Sequence, residues 1–151
     1  MLKGIDPLLT PQLLKTLAEM GHGDEIVIAD ANFTATTLGR GKTVLHLPGT
    51  GVLRMCEAVL SLLPLDAAVA QPVACMQVSD TPVGYRSALQ RQVLQRLSDA
   101  GWATPAQVEA VERFAFYDRV QRAHAIVLTG ELQPYANFVF KKGVIGEPLV
   151  H

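Results

Sequence analysis

The amino-acid sequence predicts an α/β fold: a three-layer α/β/α arrangement with a mostly parallel or mixed central sheet, in a single domain. Two observations carry this. Short apolar runs, "EIVIADA" (25–31), "TVLHL" (43–47), "PVACMQV" (72–78), "HAIVLTG" (124–130) and "NFVFKKGV" (137–144), alternate with stretches of helical spacing. That alternation is the pattern of strands covered on both faces by helices. Second, no repeat, low-complexity tract or linker interrupts the 151 residues, a length that suits one domain with a substantial core.

The first helix has clear punctuation. Thr10 is a capping residue, Pro11 fits the first helical position, and Leu13, Leu14, Leu17 and Met20 form one apolar stripe. Gly21 or Gly23 supplies a left-handed exit. After the strand at 25–31, "NFTATTLGRGK" (32–42) is polar and glycine-containing and reads as a loop. The strand at 43–47 leads to a helix over 50–63, with Val52, Leu53, Cys56, Val59, Leu60 and Leu63 on one face. A strand at 72–78 and a helix over 85–98, with Tyr85, Leu89, Val93, Leu94 and Leu97, come next. The box Thr104-Pro105-Ala106-Gln107 starts a further helix, with a break expected near Arg113 and a second helical piece around "FYDRVQRA". Two strands around the loop "ELQPYA" close the chain.

Composition excludes several function classes. The sequence has 13 basic and 14 acidic residues and a net charge of −1, with no basic footprint for nucleic acid. No 18-residue apolar run predicts a membrane span, and "MLKGIDPLL" lacks the apolar core and cleavage site of a signal peptide. The expectation is a cytoplasmic protein. Cys56 and Cys75 stand far apart in apolar surroundings and read as small buried hydrophobes. With 49% hydrophobic and 18% charged residues the chain is apolar for its size, so part of its apolar surface is expected to close subunit interfaces.

Three tempting motifs fail on context. "GRGKT" (39–43) imitates the end of a phosphate-binding loop, but Thr36 stands where a glycine is needed and a strand follows instead of a helix. "LPGTG" (47–51) matches a cell-wall sorting signal without the C-terminal apolar tail such a signal needs. His22, Asp24 and Asp30 lack any metal-binding spacing, and G-x-S-x-G is absent.

The stretch "EMGHGDEIVIADANF" (19–33) is the most informative one. A histidine after a helix ordinarily bonds the last carbonyls, and Asp30 is ordinarily a polar strand end. Yet ligands of α/β sheets collect beyond the carboxyl ends of strands, where Asp30 lies. His22 precedes the same strand and lies at its opposite end, so the two need not meet within one subunit; spacing leaves open a meeting across an interface and a loop that folds back. "ERFAFYDRVQRA" (112–123) sets Arg113 near Tyr117, a pair that also fits a solvated helix face. "PYAN" (134–137) supplies a phenol, backbone amides and a carboxamide, groups suited to a polyol.

"LLKTLAEMGHGDEIVIADANF", "RFAFYDRVQRAHAIVLTGE" and "PYANFVFKKGV" together resemble the L-fucose mutarotase and D-ribose pyranase family. The likeness is strong at both ends of the chain and weak over 40–100. It implies an isomerase that interconverts sugar anomers or ring forms with no metal or organic cofactor. It implies a monosaccharide partner and a homo-oligomeric ring, a decamer. By position, His22 matches the family's proton donor, and Asp30, Arg113, Tyr135, Ala136 and Asn137 match its substrate-binding positions. Tyr135 is the candidate second proton-transfer group, and Tyr117 a secondary site residue. The ribose branch carries a histidine where this chain has Arg113, so the resemblance leans to L-fucose. The loop after the first strand departs from the fucose branch, with Asn32 and Thr36 in place of histidines, which keeps a related deoxysugar or a pentose open. A ribose-pyranase-type activity, or a non-catalytic sugar-binding accessory of transport or sensing, are the alternatives.

Overall fold

The computed structural model describes residues Met1–His151. Helix α1 (Pro11–Glu19) starts as expected: Thr10 Oγ1 accepts from the Leu13 amide at 3.2 Å and Pro11 takes the first position. Gly23, at φ +87°, makes the left-handed turn into β1 (Glu25–Ala29). Then follow α2 (Ala35–Leu38), β2 (Thr43–Leu47), α3 (Val52–Leu60), β3 (Val73–Met76), α4 (Ala88–Asp99), β4 (Val108–Val111), α5 (Arg113–Gln121), β5 (Ala125–Thr129) and β6 (Phe138–Lys141).

The six strands lie in the order β2-β5-β1-β6-β3-β4. All pairings are parallel except those of β6, which runs antiparallel between β1 and β3. The sheet is therefore mixed and mostly parallel. Alternate residues of β1 feed two cores: Ile26 and Ile28 face α1, α3 and α4, whereas Val27 and Ala29 face α2 and α5. All four are fully buried, and each large side chain among them contributes about 1.5–3 kcal/mol. This is the three-layer arrangement, with no helix long and apolar enough to cross a membrane. Cys56 and Cys75 are buried and unpaired.

Two elements differ from expectation. The polar segment 32–42 contains the short helix α2. More consequentially, the expected helix after Thr104 is one 3₁₀ turn over Pro105–Gln107, followed by β4. The local signal operates, since the Thr104 amide donates to Gln107 Oε1 at 2.9 Å. It is cut short because Val108–Val111 pairs with Val73–Met76, a contact 35 residues away that local propensity does not contain. Glu112 then caps α5, its Oε2 accepting from the Phe114 and Ala115 amides at 2.9 and 3.0 Å. A helix thus begins at Arg113, where a break was expected.

Candidate active site

Because β6 is antiparallel to its neighbours, its first residues meet the carboxyl ends of β1 and β3 at one edge of the sheet. Ile28 and Cys75 both pair with Phe138. Asn137 is thereby wedged beside Asp30, whose amide donates to Asn137 Oδ1 at 2.9 Å. The Asp30 carboxylate accepts from the Asn32 amide at 3.0 Å. Burial raises the pKa of Asp30, and hydrogen bonds from Asn32, Asn137, Ala136 and Phe33 oppose that rise.

Tyr135 stands in the left-handed region at φ +58°, a conformation a bulky side chain adopts only when its surroundings hold it. The holding group is Gln90, on α4. Its Nε2 donates to the Tyr135 carbonyl at 2.9 Å and to the Met76 carbonyl at 2.8 Å. Arg113 is exposed at the start of α5, and its Nε donates to the Tyr117 hydroxyl at 2.9 Å. Tyr117, and more weakly Tyr135 and Glu112, favour the guanidinium and raise its pKa. Tyr117 in turn packs edge-on against Phe33 and Phe114, with centroids 5.7 and 6.0 Å apart. Asp30, Arg113, Tyr117, Tyr135, Ala136 and Asn137 therefore share one edge of the sheet.

His22 is at the other edge. Five residues of β1 separate it from Asp30, roughly 16 Å of strand. The turn holding it is tied down by the Gly21 amide on Asp24 Oδ2 at 2.7 Å and the Gly23 amide on the Lys142 carbonyl at 2.9 Å. His22 does not bond the carbonyls of α1. Its Nε2 lies 3.0 Å from Oδ1 of Asp66, a buried residue that also accepts from the Ala68 amide at 3.0 Å. The Ala68 amide first and His22 second hold the Asp66 carboxyl below its ordinary range. An ionised carboxylate only accepts, so His22 Nε2 carries the hydrogen and Nδ1 is left to take a proton. The imidazole is 52% exposed.

Sequence reasoning missed Asp66 and Gln90. Asp66 is 44 residues from His22, within "LPLDAAV", and carries no motif. Gln90 had a signal: Ser87-x-x-Gln90 is a capping box on α4. The rejected motifs have structural duties. Lys42 of "GRGKT" donates to the Val120 and Gln121 carbonyls, both at 2.7 Å, and so caps α5. "LPGTG" is a loop pressed on Gly130, where a side chain would strike the Pro48 carbonyl. No three His, Cys, Asp or Glu side chains are grouped to hold a metal ion. None of the five main clefts is lined by His22, Asp30, Arg113, Tyr117, Tyr135 or Asn137.

A family model described as the RbsD / FucU transport protein family matches residues 3–145. The chain belongs to that family. A relative named L-fucose mutarotase, from Actinobacillus pleuropneumoniae, is 44% identical over 146 residues, which covers 95% of this chain and 97% of the relative. The crystal structure of the fucose mutarotase of Streptococcus pneumoniae in complex with L-fucose superposes with a TM-score of 0.85 at 34% identity, covering 96% of this chain and all of that one. RbsD of Bacillus subtilis complexed with D-ribose gives a TM-score of 0.73 at 23% identity over 97% of this chain and all of that one. This last likeness concerns the fold alone.

Proposed function

We propose that this protein is a monosaccharide mutarotase, an isomerase that interconverts the α and β anomers of L-fucose or a closely related sugar. The observation that carries the reading is the division of labour between the two sheet edges. One edge presents an imidazole oriented by Asp66 with a free Nδ1; the other presents hydroxyl-binding groups held in place. The mutarotase relative at 44% identity supports the same reaction. Arg113, in place of the ribose branch's histidine, favours fucose.

Opening a hemiacetal ring removes the proton of the anomeric hydroxyl and delivers one to the ring oxygen. The freed aldehyde turns about its bond to the next carbon and closes on its other face. In this reading His22 Nδ1 gives or takes the proton, while Asp66 fixes the ring and stabilises the imidazolium between the two transfers. Asp30, Arg113, Ala136 and Asn137 hold sugar oxygens. Arg113 spends one of its five N–H donors on Tyr117, which leaves a planar fork for the sugar. Tyr135 is the second proton-transfer group. Positioned acid–base catalysis contributes about 10²–10⁴-fold, enough for a reaction that also proceeds in water.

A complete site then takes His22 from one copy and the anchors from another. Apolar side chains flank both edges. Val83, Phe114 and Leu132 are exposed in the segments that follow β3, β4 and β5, and Val144 and Ile145 in the segment after β6. Two different surfaces in contact make a head-to-tail interface, which repeats until a ring closes; a ring of ten copies is the assembly we infer from the family resemblance. A cytoplasmic setting suits the unpaired Cys56 and Cys75.

The test is saturation-transfer NMR on equilibrated L-fucose, D-ribose and D-galactose, with the mass measured by light scattering. Fucose anomers should exchange fastest in a multi-subunit assembly. Tight sugar binding with exchange at the solution rate would make the protein an accessory instead. A stable mass near 16.3 kDa would sink the shared site.

A further inference from the structure

Gln90 is the one fully buried polar side chain whose every hydrogen-bonding group faces the proposed sugar-binding edge or the start of its own helix. Its relative exposure is 0%, an unusual place for a carboxamide unless each of its polar atoms has a partner. Oε1 accepts from the Ser87 amide at 3.0 Å, while the Gln90 amide donates to Ser87 Oγ at 3.2 Å; this closes the capping box of α4. A capping glutamine normally leaves its NH2 group in water. Here Nε2 is directed inward and donates to two carbonyls, Met76 at the end of β3 and Tyr135 in the loop before β6.

Those two carbonyls belong to the segments that build the anchors. The Tyr135 backbone is left-handed at φ +58°, and the orientation of its peptide decides where the Ala136 amide and the Asn137 carboxamide point. Met76 is tied to the same loop, its amide donating to the Asn137 carbonyl at 3.2 Å and its Sδ lying 3.9 Å from Asn137 Nδ2. One NH2 group thus locks β3 to the anchor loop in a single arrangement.

We infer that Gln90 is a positioning residue for sugar binding: its amide NH2 holds the Tyr135 peptide in the left-handed conformation that sets Ala136 and Asn137 against Asp30 at the proposed sugar-binding edge. The inference rests on the mutarotase reading for the identity of the ligand. Its mechanism is preorganisation: a loop that must be ordered at the moment of binding loses affinity, and small misplacements of positioning groups are costly.

The experiment compares the assembled wild-type protein with Gln90→Met, Gln90→Glu and Ser87→Ala. L-fucose affinity is measured by calorimetry, KM and kcat by saturation transfer across sugar concentrations, and fold by circular dichroism. Gln90→Met keeps the volume and removes the donors. Gln90→Glu keeps the acceptor for the Ser87 amide and replaces the NH2 by a second carboxyl oxygen, which, protonated by burial, serves at most one of the two carbonyls. Both should raise Kd and KM about tenfold with kcat changed by less than about threefold, because His22 at the other edge is untouched. Ser87→Ala, which weakens the helix cap and leaves the NH2 in place, should keep the wild-type KM. A wild-type KM in Gln90→Met would overturn the inference. So would a fall in apparent kcat alone, the result of losing folded protein without changing the sites that remain. Calorimetry counts sites separately from affinity, so a poorly folding variant still reports the Kd of its folded fraction. Wild-type protein that binds fucose without accelerating exchange would overturn the mutarotase reading, and the binding constants would still decide the role of Gln90.

Discussion

At the sheet edge carrying Asp30, polar side chains are buried and mutually bonded; at the edge carrying His22, an imidazole stands half-exposed on a single carboxylate. The first edge is rigid by construction. Asp30, Asn137 and Gln90 are all at least 95% buried, and no buried side-chain nitrogen or oxygen in the chain lacks a partner. At the second, the turn is tied down through Asp24 and Lys142, but the imidazole itself is bonded only to Asp66, which leaves its Nδ1 open. The difference fits the two tasks proposed for these edges. Groups that hold hydroxyls gain from being ordered before the sugar arrives. A group that trades protons must present a free lone pair and regain its proton within each cycle. One chain cannot bring the two edges together, because β1 lies between them.

The largest effect that would break this comparison is at His22. His22→Ala should keep fold and assembly, since the side chain is exposed, and lower fucose exchange by about 10² or more. Near-normal exchange by the folded variant would move proton transfer to Tyr135 or Asp30. The next experiment tests whether the edges meet between copies. His22→Ala and Asp30→Asn should each be inactive alone. Co-assembled at equal amounts, they should regain about a quarter of wild-type exchange, half the subunits offering an intact His22 and half an intact anchor edge. No recovery in verified mixed assemblies would mean that copies do not share sites.

Two smaller effects sharpen the description of the anchor edge. Arg113→His should reduce fucose exchange several-fold more than ribose exchange, because an imidazole cannot reproduce the planar fork; equal losses on both sugars would remove Arg113 from substrate selection. Asp30 should reveal a cost in stability. Its folded pKa lies above its unfolded value because burial disfavours the charge. Its ionisation therefore opposes folding once pH rises through the folded pKa, and the penalty disappears below the unfolded value near 3.9. Asp30→Asn should melt higher than wild type at pH 7 and level with it at pH 3, while losing sugar affinity. A lower melting point at pH 7 would show that the carboxylate's hydrogen bonds outweigh its burial.

Much of this was legible along the chain, for reasons that are local. Thr10-Pro11 predicted the start of α1 because a cap and a fixed φ act within one turn. Short apolar runs predicted five of the six strands because a strand buried on both faces must be apolar throughout. The quoted segments near the two ends identified the family because they carry its motifs intact. Helix-forming signals after Thr104 misled because β4 owes its state to β3, and Asp66 was invisible because nothing near it in sequence needs a carboxylate. Ser87-x-x-Gln90 was readable as a cap, but the second duty of Gln90 was not.

What the sequence by itself determined is the inventory: an α/β chain, its family and the candidate site residues its motifs carry, since these follow from local periodicity and intact motifs. Only the tertiary structure decided their arrangement. The antiparallel insertion of β6 between β1 and β3 put Asn137 against Asp30, 107 residues apart, and turned Lys142 back to the His22 turn. Packing of α4 on that sheet carried Gln90 to Tyr135, and the loop before β3 brought Asp66 under His22. Each of these is a long-range pairing stabilised by burial and hydrogen bonds that exist only once the sheet has formed, so no window of sequence contains them.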